Sequence, residues 1–91
     1  MKTVANVFYT KEGQIYLVPN HYNHSLEYIE EALEYAKSIG LTVPDKSEIR
    51  VEVLAGRRYN RMLSIEFKSE TLPIEGFELT PGSGLWEDLK Y

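Results

Sequence analysis

The sequence predicts an α+β fold of two layers, in which one antiparallel sheet of four or five strands carries one long helix on one face, in ββαββ order with a C-terminal tail. Three observations predict it. Residues 26–39 keep every apolar side chain on one half of a helical circumference. Residues 48–55 and 62–68 alternate apolar and polar groups with period two, the pattern of half-buried strands. Near the N-terminus two runs rich in β-branched and aromatic residues flank the short segment "KEG".

Taken in order, "TVANVFYT" and "QIYLVP" are the first two strands, joined as a hairpin in which Gly13 supplies a left-handed residue. Both faces of the first strand carry apolar groups, Val4 and Phe8 on one, Ala5, Val7 and Tyr9 on the other, which places it inside a sheet. The register stays open between two pairings. A two-residue loop sets Tyr9 opposite Tyr16, and a three-residue loop sets Phe8 opposite Tyr16, with the faces exchanged between them.

A polar connector, "PNHYNHS", leads to "LEYIEEALEYAKSIG". Ser25 suits the N-cap, Glu27 suits the positive end of the helix dipole, and Gly40 suits the left-handed position past the C-terminus. Leu26, Tyr28, Ile29, Ala32, Leu33, Tyr35, Ala36 and Ile39 occupy one half of the helix; Glu27, Glu30, Glu31 and Glu34 lie opposite. So broad an apolar half suits a helix lying across a sheet. In "EIRVEVLA", Ile49, Val51, Val53 and Ala55 are expected inward and Glu48, Arg50 and Glu52 outward. In "RMLSIEFKS", Leu63, Ile65 and Phe67 face in. These two strands are expected to be buried on one side only, and "GRRYN" forms the tip between them. A short edge strand is expected within "LPIEGFELT", followed by a break at "PGSG" and one or two helical turns in "LWEDLKY". The expected core is Leu26, Ile29, Leu33, Ala36, Val51, Val53, Leu63, Ile65 and Phe67.

Ninety-one residues suit one domain, expected over residues 1–80 with residues 81–91 as the tail. Hydrophobic residues make up 43% and charged residues 26%, a globular balance that argues against disorder. Cysteine is absent, which removes disulfides, thiolate nucleophiles and zinc–cysteine sites. The N-terminus has no apolar run of signal-peptide or membrane-span length, so a cytoplasmic protein without membrane association is expected. A net charge of −4 disfavours general nucleic-acid binding, which needs a basic surface.

Local features carry the candidate sites. Arg57, Arg58 and Arg61 gather at a hairpin tip with Tyr59 between them. Arginine binds phosphate or carboxylate bidentately and tyrosine stacks on bases, so this tip could contact an acidic partner or nucleic acid. The plain alternative is a charged, solvated tip that discourages strand aggregation. Glu27, Glu30, Glu31 and Glu34 form an anionic strip that could meet a basic groove, or simply the solvated face of an amphipathic helix. Trp86 after "PGSG" could anchor a partner or a second copy, or fold back over its own core. Tyr28 and Tyr35 are expected to pack inward with hydroxyls reaching water, and Tyr9, Tyr16 and Tyr59 remain for an exposed aromatic surface.

His21 and His24 lack a third and fourth ligand beyond carboxylates such as Glu27, so no metal site is assigned. No Gly-x-Ser-x-Gly elbow and no phosphate-binding glycine loop occurs, and the carboxylates sit at outward positions. No catalytic residue and no cofactor are expected, although a site built on His21, Tyr22 or Arg50 stays open as an alternative. A hairpin followed by "LEYIEEALEYAKSIG" and a strand resembles HicB-type antitoxins, whose acidic helix follows an N-terminal β-hairpin. The resemblance covers about the first 55 residues, lacks the longer strand-containing segment that those proteins place before the helix, and carries no site residue across. The function expected is non-enzymatic: a protein-binding module, inhibitor- or antitoxin-like, that occupies a surface of another protein. A nucleic-acid binder and a small enzyme or metal protein using His21 and His24 are the alternatives.

Overall fold

The structure, a computed structural model, describes residues 4–21, 25–54 and 62–80. Strands β1 (Ala5–Tyr9) and β2 (Gln14–Pro19) precede helix α1 (Leu26–Ser38). A 3-10 turn at Lys46–Glu48 then leads to β3 (Arg50–Leu54), β4 (Met62–Lys68) and β5 (Phe77–Glu78). The five strands form one sheet in the order β3-β4-β2-β1-β5. Neighbours are antiparallel except β5, which runs parallel to β1. The sheet is therefore mixed, where a purely antiparallel one was expected. Residues 69–76 carry the chain from the end of β4 across to the far edge beside β1, and that return sets the parallel direction.

Phe8 pairs with Tyr16 and Tyr9 with Ile15, which selects the three-residue loop. The Gly13 amide donates to the Thr10 carbonyl at 3.0 Å, closing a turn that ends on Gly13 at φ +92°. A side chain is excluded there twice over, since a Cβ would lie 2.5 Å from the Ser69 carbonyl oxygen.

α1 begins and ends on the residues its sequence marks. The Tyr28 amide donates to Ser25 Oγ at 3.2 Å. At the other end Gly40 N–H donates to Lys37 and Leu41 N–H to Ala36, with Gly40 at φ +91°, the paired bonds of a Schellman cap. The helix has 13 residues, an ordinary length rather than a long one. Tyr28, Ala32, Leu33 and Ala36 are buried against Val7, Ile15, Leu17, Ile65 and Phe67.

The core departs from expectation in two respects. Leu26 is 80% exposed, Val53 55% and Val51 39%, although the apolar pattern places all three inside. Ile29 and Leu63 are half-buried at the margin of the core. The second departure is on the opposite face of the sheet, expected to be polar: Phe8, Tyr16, Val18, Leu54 and Leu79 form a second buried cluster there.

The exposure of Val51 and Val53 follows from dimensions. Outer strands of a five-stranded sheet lie roughly 19 Å apart at a spacing of about 4.8 Å, whereas a helix is about 10 Å across and shields about two strands. α1 packs over β2, near the middle of the sheet. On its side the register aligns Val7, Leu17, Ile65 and Val51 across four strands. The first three are buried and Val51, at the edge, is not. Alternation along a strand reports which face a residue takes; it is silent on whether anything lies above it.

Ser69 ties the end of β4 to its surroundings. Its amide donates to Gly13 at 2.9 Å, and its Oγ accepts from the Thr42 amide at 2.9 Å and the Thr71 amide at 3.2 Å. Thr71 Oγ1 in turn donates to the Gly40 carbonyl at 2.8 Å. One small residue thus joins the hairpin, the loop after the helix and the approach to β5.

Candidate interaction surface

Amphipathicity of α1 fixes where its carboxylates go. With Tyr28, Ala32, Leu33 and Ala36 turned to the sheet, helical geometry directs Glu27, Glu30, Glu31 and Glu34 away from it, and all four are exposed. Neither salt bridge seen among the described residues involves them: those join Lys11 to Glu78 and Arg50 to Glu52. The strip therefore presents four anionic groups to solvent, with exposed Leu26 as an apolar group at its N-terminal end. Lys37, in the last turn, supplies the one basic side chain of the helix.

The opposite side of the sheet is chemically mixed. Phe77, Phe8, Tyr16, Glu66 and Arg50 align across the five strands. The Phe8 and Phe77 rings lie 5.5 Å apart, centroid to centroid, and tilted. At the β3 end of this row an open groove of about 350 Å³ is bordered by Tyr16, Arg50, Glu66 and Lys68. A neighbouring hollow of about 550 Å³ shares Glu48 and Lys68 and reaches Thr42 and Ser69. Both are open surface depressions lined by side chains of both charge signs.

Three tyrosines take roles the sequence did not anticipate. Tyr16, reserved for an exposed aromatic surface, is buried in the second cluster, because the face it takes is apolar as well. Tyr9 is half-buried against the helix-side core. Tyr28 was expected to reach water with its hydroxyl; that hydroxyl is buried and donates to the Leu17 carbonyl at 3.3 Å. Burial pushes the phenol above its ordinary pKa, since the phenolate would lose its hydration. The shift reflects core packing and creates no reactive group at the surface.

Arg57, Arg58, Tyr59 and Arg61 lie outside the described residues, as do Tyr22, His24 and Trp86. His21 is exposed. Among the described residues no group of three or more His, Asp or Glu side chains is placed to hold a metal ion. No helix among them is long and apolar enough to cross a membrane.

The features sequence reasoning missed are apolar. Val51 and Val53 on β3 and Leu26 on α1 read as core from their periodicity and stand exposed. Counting strands against helices would have found the two valines, because one helix cannot shield five strands. In comparisons with known proteins, no family model, no curated protein and no solved structure matches the chain. The resemblance to HicB-type antitoxins therefore carries no family assignment.

Proposed function

We propose that this protein is a non-enzymatic binding module that occupies a basic surface on a partner protein through the outer face of α1, in the manner of a small inhibitor or antitoxin-like protein. The observation that carries the reading is the strip of Glu27, Glu30, Glu31 and Glu34, exposed and without an ion pair among the described residues. Four like charges on one rigid helix create a local negative potential that raises encounter rates with a basic partner, an effect weakened by salt. Leu26 adds an apolar contact at one end.

Capture from an extract of the source cell tests it, with bound protein and nucleic acid scored separately. The tagged full chain is compared with Glu30→Lys plus Glu34→Lys and with Arg57→Glu plus Arg58→Glu. Loss of a specific protein partner with the helix variant alone, together with sensitivity of capture to salt, is the expected result. Capture of nucleic acid that is lost with the arginine variant and unaffected by the helix variant would replace this reading with nucleic-acid binding through the 57–61 segment.

A further inference from the structure

Strand β3 closes one side of the sheet, and among the described residues no strand pairs with its outer edge. A bare edge presents unpaired backbone N–H and C=O groups that another strand can complete. Proteins commonly blunt such edges with proline or with charge pointing toward the buried face. On the helix face β3 has neither: its five residues, RVEVL, contain no proline, and the side chains there are Val51 and Val53, both exposed. Arg50 and Glu52 project from the other face and contact each other there.

We infer that the β3 edge is the docking site for a second copy of this chain, joined antiparallel so that two five-stranded sheets become one of ten strands. Charge complementarity selects the partner and the register. A two-fold axis perpendicular to the sheet keeps the two faces distinct, so only residues on the same face can oppose each other. Setting Arg50 opposite the second copy's Arg50, or Glu52 opposite its Glu52, brings like charges together, which is unfavourable. Centring the axis on Val51 does the reverse. Arg50 then faces Glu52 of the second copy, and the symmetry repeats that pair. On the helix side the same register sets Val51 opposite Val51, and half-buried Ile49 opposite Val53 twice, covering the two valines that α1 leaves bare.

Each opposed ion pair strengthens association by about five-fold at most. The edge is short, so the dimer falls at the small end of specific interfaces, with micromolar or weaker affinity and a dependence on salt. The acidic face of α1 points away from the sheet and stays free in this dimer. The inference is therefore independent of the function proposed above.

Sedimentation equilibrium of the full chain at low salt, from micromolar to millimolar concentration, tests it. The expected result is a mass rising from monomer to dimer. Arg50→Glu and Glu52→Arg, each alone, weaken the dimer by about ten-fold or more by opposing like charges twice. Combining them in one chain returns the constant to within about three-fold of the parent, because position 50 faces position 52 across the axis. Val51→Lys breaks the dimer while leaving the Arg50–Glu52 contact alone. Thermal melts of the dilute proteins show that each variant folds. A monomer throughout the range overturns the inference, as does a dimer that survives Val51→Lys, or a folded double variant that stays monomeric.

Discussion

Gly13 shows how one residue can be read from sequence and still do more than was read. Its place in "KEG" marks the hairpin turn, and the structure finds it at φ +92°. What the sequence does not contain is the Ser69 carbonyl, 2.5 Å from where a Cβ would sit, contributed by a residue 56 positions later in the chain (69 − 13). Gly13→Ala is expected to cost about 1–3 kcal/mol from the left-handed backbone, with the clash adding to it; urea unfolding measures the loss. Tyr28 gives a pH signature. Its phenol ionises in the unfolded chain near the ordinary value of about 10, whereas burial holds it neutral in the fold. The raised pKa means that its contribution is fully present below about pH 10 and is lost as pH rises toward the folded value, because only the unfolded state releases the proton. Tyr28→Phe is expected to lower stability by about 1 kcal/mol at pH 8 through the lost bond to Leu17. At one pH unit above the unfolded pKa the parent should have lost about 1.4 kcal/mol relative to the variant, enough to close the gap and slightly reverse it. Unfolding the two proteins in parallel between pH 8 and pH 11 checks the sign. Ser64 is the opposite case: wholly buried, with no partner for its Oγ. Burying an unpaired hydroxyl is unfavourable, so Ser64→Ala is expected to leave stability unchanged or raise it by up to about 1 kcal/mol in the same assay.

At the scale of elements, local chemistry was legible wherever a segment decides its own fate. Ser25 and Gly40 fixed the limits of α1 because capping bonds reach only a few residues along the chain. The alternation in β3 and β4 fixed which face each side chain takes, and Ile65 and Phe67 are buried as that pattern implies. Burial of Val51 and Val53 was not legible, because it depends on sheet order and on where the helix lies, which are long-range properties. The buried face carrying Phe8, Tyr16 and Val18 was half legible. The first strand showed two apolar faces, but the polar outer residues of the later strands suggested that only one was covered. The parallel pairing of β5 had no local signal at all. Mutational cost separates face from coverage. Ile65→Ala is expected to cost about 2–5 kcal/mol, while Val53→Thr, on the same face at the bare edge, should stay within about 0.5 kcal/mol of the parent. Comparable losses at the two positions, measured by denaturant unfolding, would mean that β3 is covered.

At the scale of the molecule, the described residues, one helix of 13 residues on a five-stranded sheet, present two chemically distinct surfaces. The outer face of α1 is anionic, and the β3 edge is apolar on one side and ion-paired on the other. The arginine segment and Trp86, the remaining candidates from sequence, lie outside the described residues. Fold and function meet in coverage: burial centred on β2 provides rigidity, and among the described residues the outer face of α1 and Val51 and Val53 of β3 stay exposed. Amide hydrogen exchange followed residue by residue, in a sample dilute enough to be monomeric, tests that claim most directly. Ile15, Leu17 and Val18 on β2 should exchange most slowly, near the rate set by global unfolding. On β3, the amides that point away from β4 should exchange orders of magnitude faster. Protection along all of β3 equal to that of β2 in the dilute sample would contradict the account, since it would show the edge already covered.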